Sequence, residues 1–178
     1  MNNALITIVL YTIKEQYVSE KAFYANQLGI SPQSWDRWKK GEHVSKPKNM
    51  HSISKLFTDY EWMLVQKVCR NAEILPEVAE NPVREYQFLK YQVAKKWIAT
   101  DLADFKWYTT DETVHDSEIH KPAITTLRLE CNYDFWSYKD IIDLRLPSII
   151  RHQIDSEKIN LLEWFNENTP DTITKITE

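Results

Sequence analysis

Two glycines, Gly29 and Gly41, serve the whole 178-residue chain, where average usage of roughly 7% would supply about a dozen. Glycine reaches positive φ without steric cost and lets backbone approach a ligand closely. Phosphate-cradling loops of the Walker and Rossmann kinds therefore have no place here. Both glycines instead punctuate one short segment. Ser19 reads as the N-cap of a helix ending at Leu28, with Phe23, Tyr24 and Leu28 turned inward, and Gly29 stops it. Ile30 follows as an apolar plug, Ser31 as an N-cap and Pro32 at the favoured first helical position. A further helix then runs from Gln33 to Lys40 and ends at Gly41. Upstream, residues 2–17 place Leu5, Val9, Ile13 and Tyr17 on one helical face, although the β-branched run leaves a strand open.

Charge divides the chain more sharply than its net of -4 suggests. Residues 1–70 hold 10 Lys and Arg against 6 Asp and Glu, and residues 71–178 hold 12 against 20. A basic first part suits nucleic acid or an acidic protein, whereas an acidic second part is repelled by phosphate and faces something else. The expected organisation is a helical domain over 1–70, a linker over 71–81 and an acidic domain over 82–178. Met50 to Arg70 reads as helical and closes the first domain, with Trp62 in the core or at a domain interface. The 12% aromatic content supplies packing anchors and excludes disorder for most of the length.

The second part reads as helix, strands, helix. Asn81 and Pro82 open a long helix to about Ala99 with Val83, Tyr86, Leu89, Val93 and Trp97 as its apolar stripe. Alternation at Phe105 and Trp107, at Leu127, Leu129 and Cys131, and at Ile142, Leu144 and Leu146 predicts a small antiparallel sheet. Asp155 or Ser156 is expected to cap a last helix through Asn168, with Ile159, Leu162 and Phe165 inward and a frayed tail beyond. The fold class is therefore α+β: an all-α domain followed by a small α+β domain with an antiparallel sheet. Tyr133, Phe135, Trp136 and Tyr138 exceed what one face of so small a sheet needs. They predict either a homodimer through this domain or a filled monomer core.

Catalytic and metal-binding patterns are not expected. His115, Glu118 and His120 sit in a polar loop that positions no third ligand group, and His43, His51 and His152 are isolated. The two cysteines, Cys69 and Cys131, form no C-x-x-C, which fits a reduced, cytoplasmic setting without a disulfide framework. No H-E-x-x-H or G-x-S-x-G occurs. The reading is a non-enzyme without cofactor or metal. The apolar run Ala4 to Ile13 falls short of a membrane span of about 20 residues and reads as core, so no membrane partner is expected.

The stretch Ala25-Asn26-Gln27-Leu28-Gly29-Ile30-Ser31-Pro32-Gln33-Ser34-Trp35-Asp36-Arg37-Trp38-Lys39-Lys40-Gly41 resembles the helix-turn-helix of the Cro/repressor class. In that motif a small residue, here Ala25, lets the helices approach, Gly29 supplies the left-handed turn, and Ile30, Trp35 and Trp38 form the buried face. A DNA-reading version would bring Gln33, Ser34 and Arg37 to base edges and Lys39 and Lys40 to phosphates. Asp36 and Glu42 oppose the phosphates, and a helical module retained for protein contacts or packing is the other reading of the same shape.

Over the whole chain the layout resembles the streptococcal-phage anti-CRISPR proteins that inhibit type II-A Cas9. The resemblance rests on Phe23 through Glu42, on Ala94-Lys95-Lys96-Trp97, and on Asn160-Leu161-Leu162-Glu163-Trp164-Phe165-Asn166-Glu167-Asn168. It implies a homodimeric, non-catalytic inhibitor that binds a Cas9–guide RNA complex in the bacterial host's cytoplasm and lowers its affinity for target DNA. The competing expectation is a transcription regulator of phage or bacterial origin that reads operator DNA. A protein with both activities is a third.

Overall fold

The computed structural model describes residues 3–42, 46–109, 124–133, 137–156 and 158–169. The chain divides into two compact units, Met1–Leu89 and Lys90–Glu178. The division falls inside a helix, and the segment 71–81, expected as a linker, is folded: it carries a short helix whose Val78 is buried in the first unit's core.

The first unit is helical. Helix α1 (Asn3–Gln16) buries Ile6, Ile8, Val9, Thr12 and Ile13, a broader face than the expected stripe, whose Leu5 and Tyr17 are half-buried. Burial on that breadth answers the β-branched run, which becomes core instead of strand. Helix α2 (Glu20–Phe23) is capped by Ser19, whose Oγ accepts from the Ala22 N–H at 3.2 Å. It runs straight into a π-helical turn, Tyr24–Leu28, that ends at Gly29 with φ 62°. Helix α3 (Pro32–Lys39) begins at Ser31, whose Oγ accepts from the Ser34 N–H at 3.2 Å, and gives out before Gly41 at φ 72°.

The π turn corrects the role expected of Ala25. The Tyr24 carbonyl accepts from the Gly29 N–H, five residues on, so the turn is wider than an α-turn and its side chains are rotated. Ala25 is exposed as a result and is not the small residue of a helix contact. A Cβ at Gly29 would meet nothing within 4 Å. Gly29→Ala is therefore expected to cost only the left-handed strain, about 1–2 kcal/mol, and Gly29→Asn less than that; urea denaturation of both variants checks the ordering.

Residues 50–70 are helical as expected and fall in two helices. Helix α4 (Pro47–Ser54) ends in tight turns in which Leu56 and Phe57 N–H donate to Ile53 and Ser54 carbonyls, and α5 (Asp59–Asn71) starts afresh. Thr58 and Glu61 close a capping box between them: the Glu61 N–H donates to Thr58 Oγ1 at 3.2 Å and the Thr58 N–H to Glu61 Oε2 at 3.1 Å. Gln16 of α1 holds the break by donating to the Leu56 carbonyl at 2.7 Å. Trp62 is half-buried, with its ring 5.6 Å from that of Phe57. Helix α6 (Pro76–Glu80) follows, and then α7 (Pro82–Ala99), where Asn81 Oδ1 accepts from the Arg84 N–H at 3.3 Å. Tyr86 of α7 completes this core with its ring edge-on to Phe57 at 6.0 Å.

The second unit is built on strands β1 (Ala103–Thr109), β2 (Ile124–Tyr133) and β3 (Tyr138–Pro147), antiparallel in the order β1-β2-β3. The register sets Phe105 against Leu129 against Ile142, and Trp107 against Leu127 against Leu144. One face is thus apolar, and the other carries Lys106, Arg128, Glu130 and Asp143. The expected last helix begins later than Asp155 or Ser156, at Leu161, which leaves Ile159 outside it, and a further helix precedes it. Helix α8 (Ser148–Asp155) packs on β2 and β3 and stops at Ser156, so Asp155 and Ser156 end a helix instead of starting one. Helix α9 (Leu161–Asn168) takes Asn160 as its cap, whose Oδ1 accepts from the Glu163 N–H at 2.8 Å. Phe165 is buried as expected, and Trp164 joins it. Both rings lie against Tyr91, at 5.9 and 6.4 Å. Of the tail expected to fray, Thr169 is buried, and residues 170–178 lie outside the described residues.

Candidate recognition surface

Helix α3 has two faces with different tasks. Trp35 and Trp38 stack at 4.8 Å and 14° and are both buried. Trp35 also meets Phe23 edge-on at 6.0 Å and stacks on Tyr24 at 5.9 Å. Gln33, Arg37 and Lys40 recur at i, i+4 and i+7, which puts them on one stripe on the other side of the helix, and all three are exposed. Neither Arg37 nor Lys40 has an ion-pair partner among the described residues. Ser34 is exposed too, with its Oγ 3.0 Å from Ser31 Oγ.

Lys39 has a different place from the other four. Its Nζ lies 3.0 Å from Glu20 Oε2 and 3.3 Å from Asp36 Oδ1, so its charge is already matched within the protein. The same contact answers the acid that the sequence sets on this helix, since Asp36 is partnered by Lys39. Glu20 Oε2 also accepts from Trp35 Nε1 at 2.8 Å, which makes one carboxylate a clasp between the start of α2 and the middle of α3. The Trp35 indole N–H, and after it the Lys39 ammonium, hold the Glu20 carboxyl below its ordinary value of 4.5. A carboxylate lowered in this way stabilises the fold fully above its unfolded value, and the contribution disappears as pH falls through the lower folded value. Glu20→Gln is therefore expected to lower stability at neutral pH and to flatten its fall below about pH 4.5, read from thermal melts across pH.

Nothing local in the sequence marks Glu20. Its partners lie 15 and 19 residues away. The only available signal is general: a buried tryptophan N–H needs an acceptor, and Glu20 is an acid in the first turn of the preceding helix.

On the apolar face of the sheet, Tyr133 and Tyr138 form a directly opposed cross-strand pair with rings 6.2 Å apart. They are 43% and 49% exposed, so they stand at the surface and do not fill a core. Phe135 and Trp136, expected in the same cluster, lie outside the described residues. The Cys131 thiol and the Asp140 carboxylate, whose Oδ2 accepts from the Tyr133 hydroxyl at 3.1 Å, push the Tyr133 pKa up and keep that hydroxyl protonated.

The opposite face carries a charged ladder that strand alternation alone does not reveal, because it depends on register. Arg128 forks onto Asp143 with two bonds of 2.7 Å, and the Tyr108 ring lies 5.0 Å from its guanidinium carbon. Glu130 sits between Lys139 at 3.2 Å and Lys106 at 3.5 Å, which hold its carboxyl below the ordinary range.

The other expected chemical groups are placed as follows. Burial pushes the Cys69 thiol up to about 11, which leaves it a thiol at neutral pH. Cys131 is buried in β2, and neither cysteine forms a disulfide among the described residues. Among the described residues no three His, Cys, Asp or Glu side chains converge as metal ligands. His43 and the stretch His115 to His120 lie outside the described residues. No described helix is long and apolar enough to cross a membrane. No protein-family model, curated protein or solved structure matches the chain.

Proposed function

We propose that this chain is a non-catalytic inhibitor of type II-A Cas9–guide RNA complexes, acting as a homodimer in the cytoplasm of an infected bacterium. The observation that carries this reading is where the resemblance to the streptococcal-phage anti-CRISPR family is seated. Its three stretches supply Phe23, Trp35 and Trp38, then Ala94 and Trp97, then Leu161, Trp164 and Phe165, all of them buried. Packed positions of this kind are the ones that constrain a fold, so the resemblance at them supports the reading. Charge supports the target. Cas9 holds nucleic acid in basic channels, and residues 71–178 carry a formal charge of -8. Electrostatic steering with exposed aromatic anchors is then the expected mode of binding.

A DNA-binding reading is favoured by a separate feature, the outward stripe of α3. In this reading residues 19–41 form a helix-turn-helix in which Trp35, Trp38 and the Glu20 clasp fix α3, while Gln33, Ser34, Arg37 and Lys40 face the major groove. The two readings use different surfaces, so one double variant separates them. Gln33→Ala/Arg37→Ala is expected to weaken binding to DNA from the gene's own upstream region by about 1–3 kcal/mol for the arginine alone, measured by fluorescence anisotropy. Inhibition of Cas9 cleavage by the same variant is expected to match that of the unaltered protein. Loss of inhibition would transfer the Cas9-binding role from the acidic unit to α3.

A further inference from the structure

Strand β1 lies at one edge of the sheet, and among the described residues no strand pairs with its other side. Such an edge presents a row of backbone donors and acceptors that a further strand can satisfy. On β1, Ala103, Phe105 and Trp107 share the apolar face with Leu127 and Leu129, while Asp104 and Lys106 share the charged face with Arg128 and Glu130. Phe105 is 49% exposed despite lying on the apolar face.

A second copy of this chain fits the edge by charge complementarity, and only in one register. Directly opposed residues in an antiparallel pair share a face. Two copies therefore keep their apolar faces together only when the two-fold axis passes through a residue and not between two. An axis through Asp104 opposes two aspartates, and one through Lys106 opposes two lysines. An axis through Trp107 makes no charge pair. With the axis through Phe105, each Asp104 meets the Lys106 of the other copy, each Ala103 meets a Trp107, and Phe105 meets itself. Both groups are exposed and held only by surface contacts to β2: the Lys106 side chain is 57% exposed and its bond to Glu130 is long, at 3.5 Å, and Asp104 Oδ2 accepts from Asn132 Nδ2 at 3.2 Å.

We infer that two copies pair β1 to β1, antiparallel with Phe105 on the two-fold axis, and join their sheets into one of six strands. The inference rests on the homodimer in the proposed function and assigns it a surface, and it does not depend on what the dimer binds. Sedimentation velocity of the full chain across a wide concentration range is expected to show a dimer. Lys106→Asp sets aspartate against aspartate twice and is expected to raise the dimer dissociation constant about tenfold or more. Asp104→Lys/Lys106→Asp swaps the pair and is expected to restore the dimer, with circular dichroism showing that each variant is folded. Phe105→Arg, which places two like charges on the axis, is expected to be monomeric. A monomer at every concentration, or a dimer indifferent to Lys106→Asp and Phe105→Arg, overturns the pairing. A monomer that still inhibits Cas9 removes the pairing and keeps the function. A charge-dependent dimer that inhibits no Cas9 does the reverse.

Discussion

Replacing Trp35 with alanine is expected to destabilise the first unit by about 3–5 kcal/mol, enough to unfold much of it at physiological temperature. Three separate contributions are removed together. The side chain is almost wholly buried, and its loss leaves a cavity that rings on three sides, Phe23, Tyr24 and Trp38, are too rigid to fill. The aromatic contacts themselves add about 0.5–1.5 kcal/mol per pair beyond burial. Finally, Glu20 loses its shortest hydrogen bond and is left to Lys39 alone. Trp35→Phe separates the terms in part: it keeps one ring of the packing and loses the indole N–H and the volume of the second ring, so its cost is expected below that of alanine, about 1–3 kcal/mol. Trp38 makes a useful contrast. Its indole N–H is buried with no hydrogen-bond partner among the described residues, so it contributes by shape and Trp38→Phe is expected to be the milder change. Guanidinium denaturation followed by circular dichroism reads all three.

Phe165→Ala is expected to have an effect of the same order in the second unit, about 3–5 kcal/mol. Phe165 has no exposed surface, meets Trp164 edge-on at 5.1 Å and lies 5.9 Å from Tyr91. Helix α9 has only 8 residues and cannot persist by propensity, so it is held by this contact and by its neighbours Leu161 and Trp164. Its loss is expected to release α9 before the sheet melts, seen as early loss of amide protection over Leu161–Asn168 with strands β2 and β3 still protected. Uniform loss across the unit would instead make α9 an integral part of the sheet's cooperative unit.

The sequence is most legible where a single residue carries a backbone or capping role. Ser19, Gly29, Ser31, Pro32, Asn81 and Pro82 each do the local work expected of them. The break at Lys55 to Thr58 escapes periodicity because it contains neither glycine nor proline and Ile53, Leu56 and Tyr60 run across it at i+3 and i+4 spacing. The start of the last helix is missed at residues 156–160, where Asp155 and Ser156 offer the same capping chemistry as Asn160. The cap pairs Thr58 with Glu61 and Asn160 with Glu163 were the legible signals, since each sets a capping side chain three residues before an acid. Ala25 was misplaced because a π turn has no local sequence signature, and its exposure follows only once Tyr24 bonds five residues ahead. The candidate surface is half legible. Helical spacing finds Gln33, Arg37 and Lys40, whereas the withdrawal of Lys39 depends on Glu20, and the Arg128–Asp143 fork depends on strand register. Both are contacts between segments far apart in the chain, which no local window contains.

Inhibition of Cas9 without catalysis is the central proposal for this protein. Target cleavage by a panel of purified type II-A Cas9–guide complexes, with the protein in slight excess over Cas9, tests it most directly. Cleavage by at least one member is expected to fall in proportion to the protein added and to return when the protein is removed. Undiminished cleavage across the panel, together with tight binding to DNA from the gene's own upstream region, would contradict it and make this chain an operator-reading regulator.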